Sequence, residues 1–176
     1  MKKEKGTENV VVEAAHTKMT GVFDLDEVLQ AGTDKCWDMK YFWSEKEHTE
    51  KQTSGGEELV IEWRCWKRVD DYYRFYINVI FNIFRYKEIV IEKEGKKIKT
   101  GRGEIKITVK SRLEKDYNHM FDRSQIGKFL RVLYELIILK DRTSKMEGRL
   151  LQETYDLNDT MKEKLGQMIR ENRKYY

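Results

Sequence analysis

Proline is absent from the 176-residue chain, and cysteine and histidine are scarce, with two and three copies respectively. Without an X-Pro bond, no slow peptide isomerisation should delay folding, and turns must rely on Gly, Asn, Asp or Ser. The two cysteines, Cys36 and Cys65, show no C-x-x-C or metal-ligand spacing. We therefore expect two reduced thiols in a cytoplasmic protein, with a disulfide as the alternative.

Long apolar runs are also missing from the sequence. The stretch Val10-Val11-Val12 follows a basic N-terminus, but Glu13 interrupts it at once, so no signal-peptide core is predicted. No segment approaches the roughly 20 consecutive apolar residues that cross a bilayer as a helix. These absences predict a soluble, cytoplasmic protein without membrane contact.

Charged residues make up 38% of the chain, against about 25% in an average domain, and hydrophobic residues make up 39%. That hydrophobic fraction is enough for one core beneath a heavily solvated surface. The net charge of +4 is a small difference between 35 basic and 31 acidic residues. The positions of the basic residues are therefore more informative than their sum.

Apolar and charged residues alternate from Glu57 to Tyr117, with the apolar side chains mostly at odd positions. This period of two predicts antiparallel strands with one covered face and one face toward water. We predict an α+β fold with an antiparallel β-meander of about five to six strands. A short N-terminal helix precedes the meander, C-terminal helices pack on one sheet face, and further strands are expected at 9–16 and 39–51. The predicted organisation is a polar tail at 1–8, an α+β domain at 9–140 and a C-terminal helical extension at 141–176.

Two predicted helices flank this sheet in the sequence. The first runs from Asp24 to Ala31 and is ended by Gly32. The second starts at Asp122 or Ser124 and carries an apolar stripe that would cover the sheet.

A third helix is predicted from Ser144, with Glu147 as its capping-box partner. The segment from Asp156 to Asp159 is a predicted interruption of this helix. Its apolar stripe requires a partner, which is either the same domain or a second copy of the chain. A homodimer through this C-terminal helix is therefore one of two interpretations, and packing within one chain is the other.

Side-chain parity also predicts three irregular points in the sheet. Val69 opposite Tyr73 requires a three-residue loop, and Glu94-Gly95 is predicted to form a tight turn. Gly101-Arg102-Gly103 is predicted to form a bulge, because the parity of the apolar residues changes there. A phosphate-cradling loop is the alternative for these glycines, but the pattern G-x-x-x-x-G-K-[ST] is not present.

Catalytic and metal-binding signatures are not found. The histidines are far apart and lack H-x-x-x-H or E-x-x-H spacing: His16, His48 and His119. The clustered carboxylates, which could serve acid–base chemistry or hold a divalent cation, are Asp70-Asp71, Glu114, Asp116 and Asp122. Turn formation and helix capping account for them more simply. We therefore expect a protein that is not an enzyme and holds no metal and no cofactor.

One face of the predicted sheet combines cations with aromatic side chains. The residues predicted to project together toward water are Arg64, Trp66, Arg68, Arg74, Tyr76, Lys106, Lys110 and Arg112. Such a surface suits phosphate contact by the cations and base stacking by the two rings, as in sheet-based RNA-binding modules. The alternative is a solvated face of cross-strand Lys–Glu pairs, whose lysines also discourage aggregation at sheet edges.

Two blocks of the sequence resemble a group of small uncharacterised archaeal proteins: Gly56 to Lys67 with Asp71-Tyr72-Tyr73, and Phe129 to Tyr134. The resemblance spans most of residues 20–170 and implies an archaeal source without assigning an activity. By its layout alone, the chain also resembles the helix-grip fold of Bet v 1-like and START-like lipid-transfer proteins. That second resemblance implies a ligand cavity between the sheet and a long helix.

Together these observations favour a homodimeric binding or assembly module that contacts RNA, or a ribonucleoprotein such as the ribosome, through the basic face. One alternative is a carrier of an apolar small molecule in a helix-grip cavity. Another is a structural component that binds only other proteins. Large inner aromatics such as Trp63 and Phe81 fill a core more often than they line a pocket, which counts against the carrier.

Overall fold

Five long antiparallel strands and two helices form the described part of the chain. The structure, a computed structural model, describes residues 7–93, 95–118 and 140–173. Residues 7–9 are described by their backbone alone. The elements in chain order are β1 Thr7–Phe23, α1 Leu25–Asp38, β2 Phe42–Thr53, β3 Gly56–Arg68, β4 Tyr73–Lys93, β5 Lys96–Lys115 and α2 Lys140–Asn172. The strands lie in the order β1-β5-β4-β3-β2, and each neighbouring pair is antiparallel.

The sheet with its helices confirms the predicted α+β class. Odd-numbered side chains from Leu59 to Lys67, from Tyr73 to Ile83 and from Ile105 to Leu113 are buried, among them Trp63, Ile77 and Val109. Both helices pack on this side, since Gly32 of α1 and Met161 of α2 lie against each other and the Trp63 ring. We call this side the covered face and the opposite side the outer face. A fully buried side chain of this size contributes roughly 1.5 to 3 kcal/mol before chain entropy is subtracted, so the covered face dominates stability.

The first helix is longer than predicted. The Asp24 carboxylate caps it by accepting a hydrogen bond from the backbone N–H of Glu27 at 3.1 Å. The prediction that Gly32 ends the helix is wrong, because α1 continues to Asp38. Gly32 is buried, and a Cβ at this position would lie 3.0 Å from the Trp63 ring. The glycine therefore allows α1 to pack closely on β3.

The C-terminal helix is continuous, so the start predicted at Ser144 and the interruption predicted at Asp156–Asp159 are wrong. Within that segment Asn158 is buried, and its Oδ1 accepts a hydrogen bond from the Thr17 hydroxyl of β1 at 3.1 Å. The buried apolar stripe of α2 includes Leu150, Leu157, Met161 and Leu165. A polar residue that looked like a helix breaker thus anchors the helix to the sheet.

Two further predictions concern this end of the chain. The apolar stripe of α2 packs against the chain's own sheet and α1. This stripe was the reason to expect a homodimer, and it is covered within one chain. The homodimer stays a prediction. The helix predicted from Asp122 or Ser124 lies outside the described residues. So does the block from Phe129 to Tyr134.

The predicted loop between β3 and β4 is confirmed, since the Val69 N–H donates to the Tyr73 carbonyl at 3.0 Å across three residues. The bulge predicted at 101–103 lies instead in β4, where Arg85 and Tyr86 together oppose Gly103. Arg85 has a φ of 54°, which lets the strand absorb the extra residue. Gly101 has another role, because a Cβ there would overlap the Tyr86 ring.

The strands are longer than the sequence indicates. β1 extends to Phe23 and not only to His16, and β4 and β5 each join two predicted strands into one. Bulges make this possible, since they correct the side-chain parity without ending the strand. In the described part of the chain, neither helix combines the length and the apolar character needed to span a bilayer.

The contact between Gly32 and Trp63 predicts a large effect of substitution. Gly32→Leu should lower the free energy of unfolding by about 1 to 3 kcal/mol, because the added atoms overpack α1 against β3. The matched control is Gly148→Leu in α2, where no heavy atom lies within 4 Å of the position of a Cβ. There the higher helix propensity of leucine should raise stability by up to about 1 kcal/mol. Urea unfolding would measure both, and equal midpoints would contradict the close packing.

Candidate nucleic-acid interface

All eight residues predicted for the basic face lie on the outer face, at even positions whose odd neighbours are buried, apart from the partly buried Val69 beside Arg68. Strand register arranges them in rows across the sheet. The first, which we call the aromatic row, crosses all five strands and consists of Val10, Arg112, Tyr76, Trp66 and Phe42. Its end residues, Val10 and Phe42, are 70% and 58% exposed. The row therefore presents apolar surface to water at both edges of the sheet.

Rings in the aromatic row contact both one another and cations. Trp66 stacks on Phe42 with ring centroids 5.0 Å apart and an interplanar angle of 25°. The Arg112 guanidinium lies 5.0 Å from the centre of the Tyr76 ring. Sequence reasoning missed Phe42, although its position beside Trp43 in an aromatic stretch was a usable signal. With Phe42 included, the stacking surface extends from β4 to the edge strand β2.

Arg74 is enclosed by a cluster that also contains Tyr76, Glu114 and Tyr117, which we call the Arg74 cluster. Its Nη1 lies 3.4 Å from the Glu114 carboxylate and 3.0 Å from the Tyr76 hydroxyl. The Tyr76 hydroxyl donates to Glu114 at 2.9 Å, and burial raises the pKa of Tyr76, so this donor stays protonated. The Tyr117 ring centre lies 4.2 Å from the guanidinium. Arg74 is thus neutralised and partly covered, which suits a positioning role.

Several cations of the outer face form cross-strand ion pairs. Glu104 pairs with Lys18 and with Arg85, each at 2.9 Å, and Glu62 pairs with Lys46 at 3.1 Å. The hydrogen bond from Lys18 lowers the pKa of Glu104. These contacts correspond to the solvated face that the sequence left open as an alternative. Exposed pairs of this kind contribute little to stability.

Three other cations of the outer face have no such pair in the part of the chain that the structure describes. Within residues 7–93, 95–118 and 140–173, no carboxylate forms an ion pair with Arg64, Lys106 or Lys110. Register places Lys110 opposite Asn78 and Asn78 opposite Arg64, which defines a second row that we call the cationic row. Since neighbouring strands are about 4.8 Å apart, the backbones of Arg64 and Lys110 are about 10 Å apart. This row lies beside the aromatic row.

A groove opens on the outer face where β1 departs from regular pairing. Val12 pairs with Ser111 and Ala15 with Val109, so two residues of β1 face the single residue Lys110. The groove has a volume of about 240 Å³ and is lined by Val10, Val12, Glu13, Tyr76, Asn78, Lys110, Ser111 and Arg112. Three of these belong to the predicted basic face. Sequence reasoning missed Val10, Val12 and Glu13 because the bulge of β1 leaves no periodic signal.

A second polar site lies on the covered face, around Lys67. Its Nζ is 2.6 Å from the Glu153 carboxylate of α2 and 4.4 Å from the centre of the Tyr41 ring. The Tyr41 hydroxyl donates to the same carboxylate at 2.7 Å. Burial lowers the pKa of Lys67 and raises that of Tyr41. Lys67 stands at an odd position of β3, which was the available signal that it points inward.

This site has the composition of a structural ion pair. The Lys67 side chain is 8% exposed and that of Glu153 is 15% exposed. An ammonium in such surroundings requires a carboxylate partner, and Glu153 supplies it from the helix that covers the sheet. The pair therefore fixes α2 against the end of β3.

The two cysteines are buried free thiols, in agreement with the expectation of reduced cysteines, and their sulfurs lie 3.5 Å apart. The hydrogen bond between Cys65 and Cys36, together with burial, raises the pKa of Cys65. A raised pKa disfavours the nucleophilic thiolate. The pair therefore joins α1 to β3 as core contacts.

The carboxylates and histidines singled out from the sequence have local roles. Asp70 accepts hydrogen bonds from the backbone N–H groups of Tyr72 and Tyr73 at 2.8 and 2.7 Å, as in an Asx turn. His16 contacts the Thr108 hydroxyl at 3.1 Å, and His48 lies beside carboxylates of its own strand. His119 and Asp122 lie outside the described residues. Among the described residues, no three side chains of the types that ligate metals come together.

Comparison of the chain with protein-family models, with curated proteins and with solved structures yields no match.

The Lys67–Glu153 pair predicts a stability loss that depends on pH. Glu153→Gln should lower the free energy of unfolding by about 3 kcal/mol at neutral pH, because it leaves a buried ammonium without its partner. Burial already lowers the pKa of Lys67, so the folded state holds this proton less tightly than the unfolded chain does. The penalty for the charge should therefore shrink as the pH rises from about 7 to about 9.5, toward the usual lysine pKa.

Chemical unfolding at the two pH values would test this expectation. The control is Glu163→Gln, the same substitution at an exposed position of the same helix. It should change stability by less than about 0.5 kcal/mol at either pH. A Glu153→Gln variant that unfolds like this control would show that Lys67 does not depend on the pair.

Proposed function

We propose that the outer face binds single-stranded RNA and that the protein is a binding module without catalytic activity. The observation that carries this proposal is the adjacency of the two rows. Arg64 and Lys110 of the cationic row have no carboxylate partner among the described residues, and the neighbouring aromatic row ends in the exposed ring of Phe42. Unpaired cations attract the phosphate backbone, and rings beside them stack on bases.

The geometry favours a single strand over a duplex as the ligand. In an RNA duplex the base faces are stacked inside the helix, whereas a single strand can lay them on a sheet surface. The stacked pair of Phe42 and Trp66 offers such a surface at the β2 edge. Lys106 lies opposite Asn82, two rows along the strands from Asn78 on the same face, and extends the positive surface.

The eight predicted residues take different parts in this proposal. Arg64, Lys106 and Lys110 contact phosphates, and Arg68, which is exposed, adds a further cation. Arg74 and Tyr76 are held by Glu114 and act as positioning residues for the rings around them. The proposal includes a cytoplasmic location and RNA that is free or exposed in a ribonucleoprotein such as the ribosome.

The covered face gives less support to a carrier of apolar molecules. Trp63 and Phe81 meet edge to face with ring centroids 4.7 Å apart, and both are almost fully buried. Tyr73 and Phe75 are likewise buried in the same cluster. Rings that contact one another and the helices in this way contribute packing, so these observations favour a filled core.

Fluorescence anisotropy with a labelled uridine-rich nonamer, titrated at several salt concentrations, tests the proposal. Arg64→Ala combined with Lys110→Ala should weaken binding at low salt. It should also reduce the slope of log affinity against log salt by about 1.4, since each phosphate contact to a single strand contributes about 0.7. The matched control is Lys162→Ala combined with Arg170→Ala, which removes the same two charges from exposed positions of α2.

The control should leave the slope unchanged, because α2 lies on the covered face. If the unsubstituted protein shows no binding at low salt, the proposal is wrong. Equal losses in the two double variants would show that binding follows net charge and not the outer face.

A further inference from the structure

One edge of the sheet, strand β2, lies open to solvent. β2 is the last strand in the order β1-β5-β4-β3-β2, and within the described part of the chain only β3 pairs with it. Every side chain from Ser44 to Gln52 is exposed. An open edge presents a row of unpaired backbone N–H and C=O groups, which can pair with a strand of another molecule.

The side chains of β2 decide which strand can pair with this edge. Beyond its bulge, β2 pairs regularly with β3. Register places Glu47, Thr49 and Lys51 on the outer face, and His48 and Glu50 on the other side of the sheet. Side chains directly opposite each other in an antiparallel pair share a face, so an added strand must match each of these two sets separately.

Two charges on the outer side of β2 lack a partner within the chain. Neither Glu47 nor Lys51 forms an ion pair in the part of the chain that the structure describes. In the register with β3, Glu47 stands opposite Glu62, a second carboxylate. Like charges directly opposite each other are unfavourable, so Glu47 gains from a cation supplied at the open edge.

We infer that a second copy of this chain pairs with β2 through its own β2 strand, antiparallel and centred on Thr49. In this register Glu47 of each copy lies opposite Lys51 of the other copy, and His48 lies opposite Glu50. Each contact occurs twice, because two-fold symmetry exchanges the two chains. Each carboxylate of this segment therefore meets a cation or an N–H donor.

Other symmetric registers bring like charges together. A pair centred on Glu50 would place two carboxylates opposite each other, and a pair centred on Lys51 would do the same with two ammonium groups. A pair centred on His48 would place Glu50 opposite Glu45, beyond the bulge. Charged residues on an edge strand usually prevent pairing. A single complementary register therefore makes β2 selective for its own copy.

The arrangement joins the two sheets into one. Since paired residues share a face, the two-fold axis is perpendicular to the sheet, and the two outer faces lie on the same side. The interface uses neither the cations of the cationic row nor the apolar stripe of α2. It is therefore independent of the proposed function.

Reversal of one charge tests the interface through the mass of the protein in solution. Sedimentation equilibrium over a range of protein concentrations should give the mass of two chains for the unsubstituted protein. Glu47→Lys places cations opposite each other in both symmetric contacts, and it should raise the dissociation constant about tenfold or more. Lys51→Glu should have the same effect with carboxylates. Glu47→Lys combined with Lys51→Glu exchanges the two charges and should restore the dimer.

The matched control is Glu13→Lys, the same reversal at an exposed position of the opposite edge strand, β1. It should leave the dissociation constant unchanged. The mass of a single chain at every concentration would overturn the inference and leave the proposed function standing. A dimer that survives both single reversals would also overturn it, and would assign the contact to another surface such as α2.

Thr49 offers a direct test of the register, because it lies on the two-fold axis and faces its own copy. Opposite residues of an antiparallel pair have Cα atoms about 4.5 to 5.5 Å apart, within the range that a disulfide spans. With diamide as the oxidant, Thr49→Cys should therefore link two chains, seen as a doubled mass on a non-reducing gel. The native thiols of Cys36 and Cys65 are buried.

The control for this linkage is Gln52→Cys, at another exposed position of the same strand. In the inferred register this position lies about 20 Å from its copy, so it should not link. Equal yields from the two variants, or no linkage from either, would overturn the register.

Discussion

Burial of the odd-numbered side chains in the central parts of β3, β4 and β5 beneath the two helices is the constraint on which the outer face depends. Successive side chains of a strand point to opposite faces, so burial of Trp63, Ile77 and Val109 forces their even-numbered neighbours outward. The hydrophobic free energy of the covered face therefore fixes the positions of cations that contribute little to stability themselves. A shift of one residue in register would bury Arg64, Asn78 and Lys110 and expose the core.

Side-chain parity was sufficient to predict the sheet and the face on which its polar residues lie. It did not predict which of two paired strands contains a bulge. The change of parity near residue 101 requires an extra residue on one of two paired strands. Glycines suggested β5, but Arg85 in β4 adopts the required left-handed conformation, while Gly101 makes room for the Tyr86 ring. Which strand bulges is decided by side chains that meet only in the fold.

Local signals for helix ends failed for a related reason. Gly32 and Asn158 have low helix propensity, and the sequence predicts a helix end at Gly32 and an interruption at Asp156–Asp159. In the structure Gly32 lies against Trp63, and Asn158 accepts a hydrogen bond from Thr17. Tertiary contacts of this kind outweigh a propensity cost of about 1 kcal/mol for a single residue. The low propensity of both residues is visible in the sequence, but the contacts that they make in the fold are not.

In the candidate site, too, the sequence determines which face a side chain lies on, and folding determines which partners it meets. Sequence alternation brought eight residues to one face, yet it could not separate cations that are neutralised from those that are not. Arg74 meets Glu114 only because β4 and β5 pair in this register, whereas Lys110 faces the bulge of β1, where no described carboxylate pairs with it. A charge that is already balanced gains little from a phosphate, because the new contact must replace an existing one. The attraction for an anion is therefore concentrated at the cationic row, where no described carboxylate pairs with Arg64 or Lys110.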